Sequence, residues 1–158
     1  MTSAVTPEDR QWLTEAARQA HLCPPSESAF SVGAVIVDGS GRELARGHSR
    51  DTDPLVHAEE SALARLPSGD PRLRQATLYS SLEPCSQRAS RPCSCTQLIL
   101  TAGIPRVVIA WREPENFVAD CQGKAILESQ GVTVLECPEV AALAKAPNGH
   151  LLGGGGGL

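Results

Sequence analysis

Leu13, Ala16, Ala17 and Ala20 recur at helical spacing. Thr6-Pro7-Glu8-Asp9 stands in front of them with a hydroxyl cap, a proline at the first helical position and acids in the first turn. With Pro24-Pro25 closing the segment, this predicts a helix over residues 7–22. The period then changes. Ser31 to Asp38 is apolar and β-branched, Asp38-Gly39-Ser40-Gly41 is turn chemistry, and Arg42 to Ser49 can return beside the first run, which predicts a hairpin. Past Pro54, the positions Glu59, Ala62, Leu63 and Leu66 share one helical face that Pro67-Ser68-Gly69 ends. A carboxylate on a core-facing stripe is out of place there.

Ala76 to Ser81 reads as a strand. After a loop rich in Pro, Ser, Cys and Arg, Ser94 can cap a helix, with Gln97 three residues on and Gly103 stopping it. Arg106 to Trp111 predicts a strand, Gln122 to Gln130 a helix ended by Gly131, and Val132 to Leu135 a last strand. A helical crossover makes the last two strands parallel, with a right-handed connection. The order is αββαβαβαβ. Residues 1–137 are expected to form one domain. From Pro138 the only helical stretch is Val140 to Ala146, followed by Pro147-Asn148-Gly149 and five glycines at 153–157, so residues 138–158 are expected to be a flexible extension.

A chain of 158 residues suits one domain with one core, and 41% hydrophobic against 20% charged residues excludes a wholly disordered chain. The net charge, 14 − 18 = −4, has the wrong sign for bulk nucleic acid. Trp12, Phe30, Tyr79, Trp111 and Phe117 are too few for a base-stacking platform. The expected ligand is therefore small. No apolar run approaches the ~18 residues of a membrane span, and Met1 to Arg10 carries acid and proline where a signal peptide is basic and then apolar, so a cytoplasmic location is expected. Six cysteines in that setting read as metal ligands or reduced thiols rather than as a disulfide framework.

Three of the six crowd into eleven residues, and with His57-Ala58-Glu59 they form the sharpest constellation: Pro84-Cys85, then Cys93-Ser94-Cys95. One imidazole and two thiolates suit Zn²⁺, and three protein ligands leave the fourth position of a catalytic site to water. Either Cys93 or Cys95 can be the third ligand. Cys95 shares a helical face with Leu98, Ile99 and Ala102 and stands first in its helix, where the dipole favours a thiolate; Cys93 lines up with Thr96, Gln97 and Leu100, a mostly polar face. Glu59 is placed to take and return protons beside a water whose pKa zinc brings toward ~7. These parts fit hydrolysis of a C–NH₂ bond on a ring. If Cys93 ligates as well, the site closes as a structural His-Cys₃ module and Glu59 has no purpose. Arg88 and Arg91 can meet a substrate phosphate or stay solvated. Phe30 and Val32 are apolar strand residues expected to line a pocket, and Trp111 is either a stacking wall or a core plug.

His57-Ala58-Glu59, Pro84-Cys85 and a second cysteine opening the next helix resemble the cytidine deaminase-like zinc deaminases, whose Glu is the general acid/base. The resemblance covers about residues 10–136. Within that superfamily, Ser81-Leu82-Glu83-Pro84-Cys85-Ser86 and Pro105-Arg106-Val107-Val108-Ile109-Ala110 look most like the pyrimidine deaminase domain of riboflavin-biosynthesis enzymes. The spacing from Cys95 to Gly103 matches that branch's second zinc cysteine. The resemblance implies a three-layer α/β/α sandwich with a five-stranded mixed sheet. It further implies zinc held by His57, Cys85 and Cys95, catalysis by Glu59, and a small heterocyclic amine and water as substrates. His48 and Ser49 lie where the superfamily binds sugar or base, and a homodimer or homotetramer is implied. Departures bear on the substrate: Ser28-Ala29-Phe30-Ser31 replaces a segment with a substrate-contacting asparagine, the cysteine loop is longer by one residue, and the reductase domain of that branch is not expected within these 158 residues. A deoxycytidylate, cytosine or purine deaminase is the alternative.

Overall fold

The computed structural model describes residues 4–86, 94–112 and 122–152. Helix α1 (Pro7–Ala20) starts with a reciprocal cap: Thr6 Oγ1 accepts from the Asp9 N–H at 3.1 Å and Asp9 Oδ2 accepts from the Thr6 N–H at 2.9 Å. Strands β1 (Gly33–Val37) and β2 (Glu43–His48) form the predicted hairpin, with a bulge at Ile36/Val37. After α2 (Ala58–Ala64), a 3₁₀ turn at Pro71–Gln75 precedes β3 (Thr77–Ser80); Asp70 caps this turn by accepting from the Arg72 N–H. Helix α3 (Cys95–Ala102) is capped by Ser94 Oγ, which accepts from the Gln97 N–H at 3.1 Å, and stopped by Gly103 at φ 79°. Strand β4 (Arg106–Ile109), α4 (Gly123–Ser129) and β5 (Thr133–Glu136) complete the sandwich.

The sheet order is β2-β1-β3-β4-β5, with β1 antiparallel to both neighbours and β3, β4 and β5 parallel. Alternation along the strands feeds two cores. Ala34, Ile36, Leu78, Val107 and Ile109 meet Ala58 and Ala62 of α2, Ile99 of α3 and Leu127 of α4 on one face. Val35, Val37, Tyr79 and Val108 meet Leu13, Ala16 and Ala17 of α1 on the other. This is the expected three-layer α/β/α sandwich around a mixed five-stranded sheet. Helix α1 presses so closely on the start of β1 that a Cβ on Gly33 would lie 1.9 Å from the Ala16 carbonyl oxygen. Among the described residues, no helix is long and apolar enough to cross a membrane.

The stretch from Pro138 to Leu152 differs from the flexible extension expected of it. It folds as a 3₁₀ turn (Pro138–Val140), α5 (Ala141–Lys145), a second turn (Ala146–Asn148) and α6 (Gly149–Leu152). Val140, Ala144 and Asn148 are spaced four apart and buried, and the first two join the α1 core. The Pro, Ala and Gly around them obscured that face in the sequence. The glycines at 153–157 lie outside the described residues.

The capping acid of α1 has a second task. Asp9 Oδ1 accepts from the Tyr79 hydroxyl at 2.7 Å and from Arg106 Nη1 at 2.8 Å, and Oδ2 accepts from Arg106 Nη2 at 2.7 Å. Both partners in this ion pair are buried, which ties α1 to β3 and β4. Burial opposes the charge of Asp9, but bonds from Arg106, Tyr79 and Thr6 outweigh it and hold the carboxyl well below the usual carboxylate range. Asp9→Asn strands a buried guanidinium and is expected to lower unfolding free energy at neutral pH by about 3–5 kcal/mol, measured by chemical denaturation. The unfolded chain takes up the proton first as pH falls, so the wild-type advantage over Asp9→Asn should be complete above about pH 4 and shrink below it.

Candidate functional site

His57 is the N-cap of α2, Cys95 is the first residue of α3, and Cys85 follows β3 in the loop between them. Two helix starts and the carboxyl end of a parallel strand thus converge, the usual place for a site in an α/β sheet. His57 Nδ1 lies 3.6 Å from Cys85 Sγ and 3.4 Å from Cys95 Sγ. Zinc bonds of ~2.0–2.1 Å to nitrogen and ~2.3 Å to sulfur at a tetrahedral angle place such atoms about 3.5 Å apart, so the three side chains fit that ion. They are the group of potential ligands that the described residues bring together. Cys93, the rival of Cys95, lies outside those residues.

The Cys85 thiol is drawn down to about 4, first by its hydrogen bond with the Cys95 side chain and then by His57 and the Cys95 N–H, against burial that works the other way. That N–H donates to Cys85 Sγ at 3.2 Å. The loop carrying Cys85 is pinned on both sides. Thr96 donates its hydroxyl to the Cys85 carbonyl at 2.7 Å, so the face of α3 expected to be polar is buried at this point. Helix α4 abuts the loop so tightly that a Cβ on Gly123 would sit 2.0 Å from the Pro84 oxygen, and Glu83 accepts from the Lys124 N–H at 2.9 Å, capping α4 from another segment.

Glu59 is only 3% exposed. Burial and then the charge of Cys85 push its carboxyl above the ordinary range, so protonation comes easily. Ser80 Oγ lies 2.8 Å from the Leu82 carbonyl and 3.2 Å from Glu59 Oε2. One hydroxyl proton cannot serve both acceptors; protonated Glu59 can donate to Ser80 while Ser80 donates to Leu82.

A cavity of about 300 Å³ opens beside these groups, and His57, Glu59 and Cys85 share its lining with Phe30, Val32, Ser49, Arg50, Val56, Leu82 and Glu83. Of the residues proposed from sequence to contact substrate or line a pocket, Phe30, Val32 and Ser49 lie in this lining. His48 does not line the cavity. It is the last residue of β2, and its Nε2 lies 3.5 Å from Asp51 Oδ1 instead. Trp111 is a core plug rather than a stacking wall, standing edge-on behind Phe30 at 5.7 Å between ring centroids. Arg88 and Arg91 lie outside the described residues. Sequence reasoning missed Arg50 and Glu83 as site-building residues. Glu83 carried a signal, an acid next to the Pro84-Cys85 pair.

The sandwich, the His/Cys/Cys set at two helix starts and the buried Glu define a cytidine deaminase-like zinc domain. A family model, the cytidine and deoxycytidylate deaminase zinc-binding region, matches residues 6–111, and the chain belongs to that family. It is 39% identical over 128 residues to the diaminohydroxyphosphoribosylamino-pyrimidine deaminase of Schizosaccharomyces pombe, covering 80% of this chain and 31% of that protein. Riboflavin biosynthesis protein RibD of Escherichia coli is 38% identical over 105 residues, covering 66% of this chain and 26% of the relative. The chain therefore spans less than a third of these curated relatives. Among solved structures, RibD of Acinetobacter baumannii superposes with a TM-score of 0.76 at 28% identity, over 89% of this chain and 38% of that one. The Rib2 deaminase of Aspergillus oryzae in complex with DARIPP shares the fold, with a TM-score of 0.71 at 21% identity over 92% and 96% of the two chains.

Once zinc is stripped with a chelator, one thiolate should persist down to about pH 4 in ultraviolet absorbance and be missing from Cys85→Ser. A protein whose first thiolate forms only near the ordinary ~8.5 would contradict the hydrogen-bonded cluster.

Proposed function

We propose that this chain is a zinc-dependent hydrolytic deaminase that releases ammonia from an aminopyrimidine of the riboflavin pathway, diaminohydroxyphosphoribosylaminopyrimidine. The observation that carries the reading is that His57, Cys85 and buried Glu59 line one largely apolar cavity, with Cys95 completing the metal set. The similarity to deaminases of that name supports the substrate class. Zinc, held by His57, Cys85 and Cys95, supplies a Lewis acid that lowers the pKa of a water. The chain's own residues do the rest. Glu59 takes the proton of the attacking water on a carboxylate oxygen and passes it to a ring nitrogen. It then carries the remaining proton of that water, from the hydroxyl now on the ring carbon, to the departing amino group, so that the C–N bond breaks, ammonia leaves and a carbonyl remains. Its raised affinity for protons suits both transfers.

Phe30, Val32, Val56 and Leu82 offer apolar surface to a flat ring, and Ser49 offers a hydroxyl. We assign the phosphate to Arg88 and Arg91 on chemical grounds, as planar donors suited to it. We further propose a cytoplasmic location, from the character of residues 1–10 and of the apolar runs, and a homodimer or homotetramer, which the resemblance implies.

Ammonia release should be highest with diaminohydroxyphosphoribosylaminopyrimidine, against deoxycytidylate, cytosine, guanine and adenine as competitors. Glu59→Gln should cut turnover ~10²–10⁴-fold while zinc remains at one per chain. Full turnover by a zinc-loaded Glu59→Gln variant would overturn the role of Glu59, and preference for another amine would reassign the substrate.

A further inference from the structure

One wall of the cavity, the segment 28–32, belongs to no helix or strand. Backbone outside regular structure must find other partners when it is buried. Here side chains from two distant parts of the chain supply them. Asn148, 1% exposed, accepts the Ser31 N–H on Oδ1 at 2.6 Å and donates Nδ2 to the Ser31 carbonyl at 3.0 Å, so one amide satisfies both halves of a residue. Its Nδ2 also lies 3.4 Å from the Ala144 carbonyl, which ties the contact back to α5.

Arg50 holds the same segment from the other side. Its Nη1 donates to the Phe30 carbonyl at 3.2 Å and its Nη2 to Ser31 Oγ at 2.6 Å. Nε and Nη2 donate to the Pro24 carbonyl at 3.1 and 2.8 Å. Four of its five N–H groups are committed to the protein, so the guanidinium works as a strap and has little left for an anion. The backbone of Arg50 is left-handed, φ 58°, unusual for a residue with a long side chain. Behind the wall, Trp111 meets Phe30 edge-on, and Lys145 of α5 lies 5.3 Å over the Trp111 ring.

We propose that Arg50 and Asn148 are positioning residues. Together they fix Phe30 to Val32 as the surface against which the heterocycle rests, so the segment 138–152 and the turn after β2 set substrate affinity from outside the chemistry. Neither residue holds metal or moves a proton. The inference takes its substrate from the deaminase reading; its geometry does not depend on that reading.

The test uses the zinc-loaded full chain with Asn148→Ala, Asn148→Asp, Arg50→Ala and Arg50→Lys. Steady-state kinetics with diaminohydroxyphosphoribosylaminopyrimidine should show KM raised roughly ten- to a hundred-fold in both alanine variants, since small displacements of positioning groups are costly, with kcat within about twofold and zinc retained. Arg50→Lys keeps the charge but loses the fork and should recover only part of the loss. Asn148→Asp keeps the acceptor for the Ser31 N–H, loses the donor and should also fall between. Hydrogen exchange at the Ser31 amide should quicken in Asn148→Ala while residues 57–63 are unchanged. An unchanged KM in folded alanine variants overturns the proposal, as does a loss confined to kcat or accompanied by loss of zinc. If the wild-type chain turns over none of the amines, the deaminase reading fails instead, and unchanged Ser31 exchange in Asn148→Ala would then sink the clamp by itself.

Discussion

Two thiol groups and a carboxylate are brought together in the interior, and the rest of the site is arranged around the cost of that charge. An unpaired anion cannot stay buried without either taking a proton or finding donors and a cation. The chain answers in different ways for different groups. Cys85 receives the Cys95 N–H at the start of α3, where the helix dipole also favours negative charge, and its thiol is held far below its ordinary range. Glu59 receives less help, so burial wins and its affinity for protons rises. The neighbouring anionic sulfur reinforces that rise. One cluster thus yields a metal-ligating thiol, Cys85, that ionises readily beside a carboxyl that protonates readily, the division that a metal-assisted proton transfer requires.

Holding this arrangement determines much of the surrounding packing. Gly123 lets α4 approach the Pro84 carbonyl, Thr96 bonds the Cys85 carbonyl, and Glu83 caps α4. These contacts fix the described part of the loop that follows β3. On the far face of the sheet, the buried Asp9–Arg106 pair with Tyr79 joins α1, β3 and β4, so the strand end that leads into the Cys85 loop is anchored from behind. The layers are therefore coupled through β3. Within the short strand Thr77–Ser80, Tyr79 is turned to the ion pair and Ser80 to Glu59.

The grouping of His57, Cys85 and Cys95 with Glu59 was legible in the sequence because metal and proton-transfer chemistry restricts both residue type and spacing. A glutamate on a core-facing stripe has few structural explanations, and helical phase favoured Cys95 over Cys93, which lies outside the described residues. The caps at Thr6 and Ser94 and the stops at Gly103 and Gly131 were legible for the same local reason. Contacts between distant residues were not. Asp9 looked like an ordinary first-turn acid, and nothing near it in sequence announces Arg106, 97 residues away. Asn148 sits between proline and glycine, so composition pointed to a flexible extension, whereas one amide paired with Ser31 anchors the segment. His48 was placed in the pocket by resemblance, but its imidazole turns to Asp51, while Ser49 in the turn after β2 lines the cavity.

His57, Cys85 and Cys95 fit an open zinc site with two sulfur ligands, one imidazole and a buried carboxyl, Glu59, at hand. X-ray absorption at the zinc edge of the metal-loaded chain tests it most directly. The account predicts two sulfur neighbours at ~2.3 Å and two lighter ones at ~2.0–2.1 Å, one of them from solvent. Three sulfurs would mean that Cys93 closes the site as a structural module, and would contradict a catalytic role for Glu59.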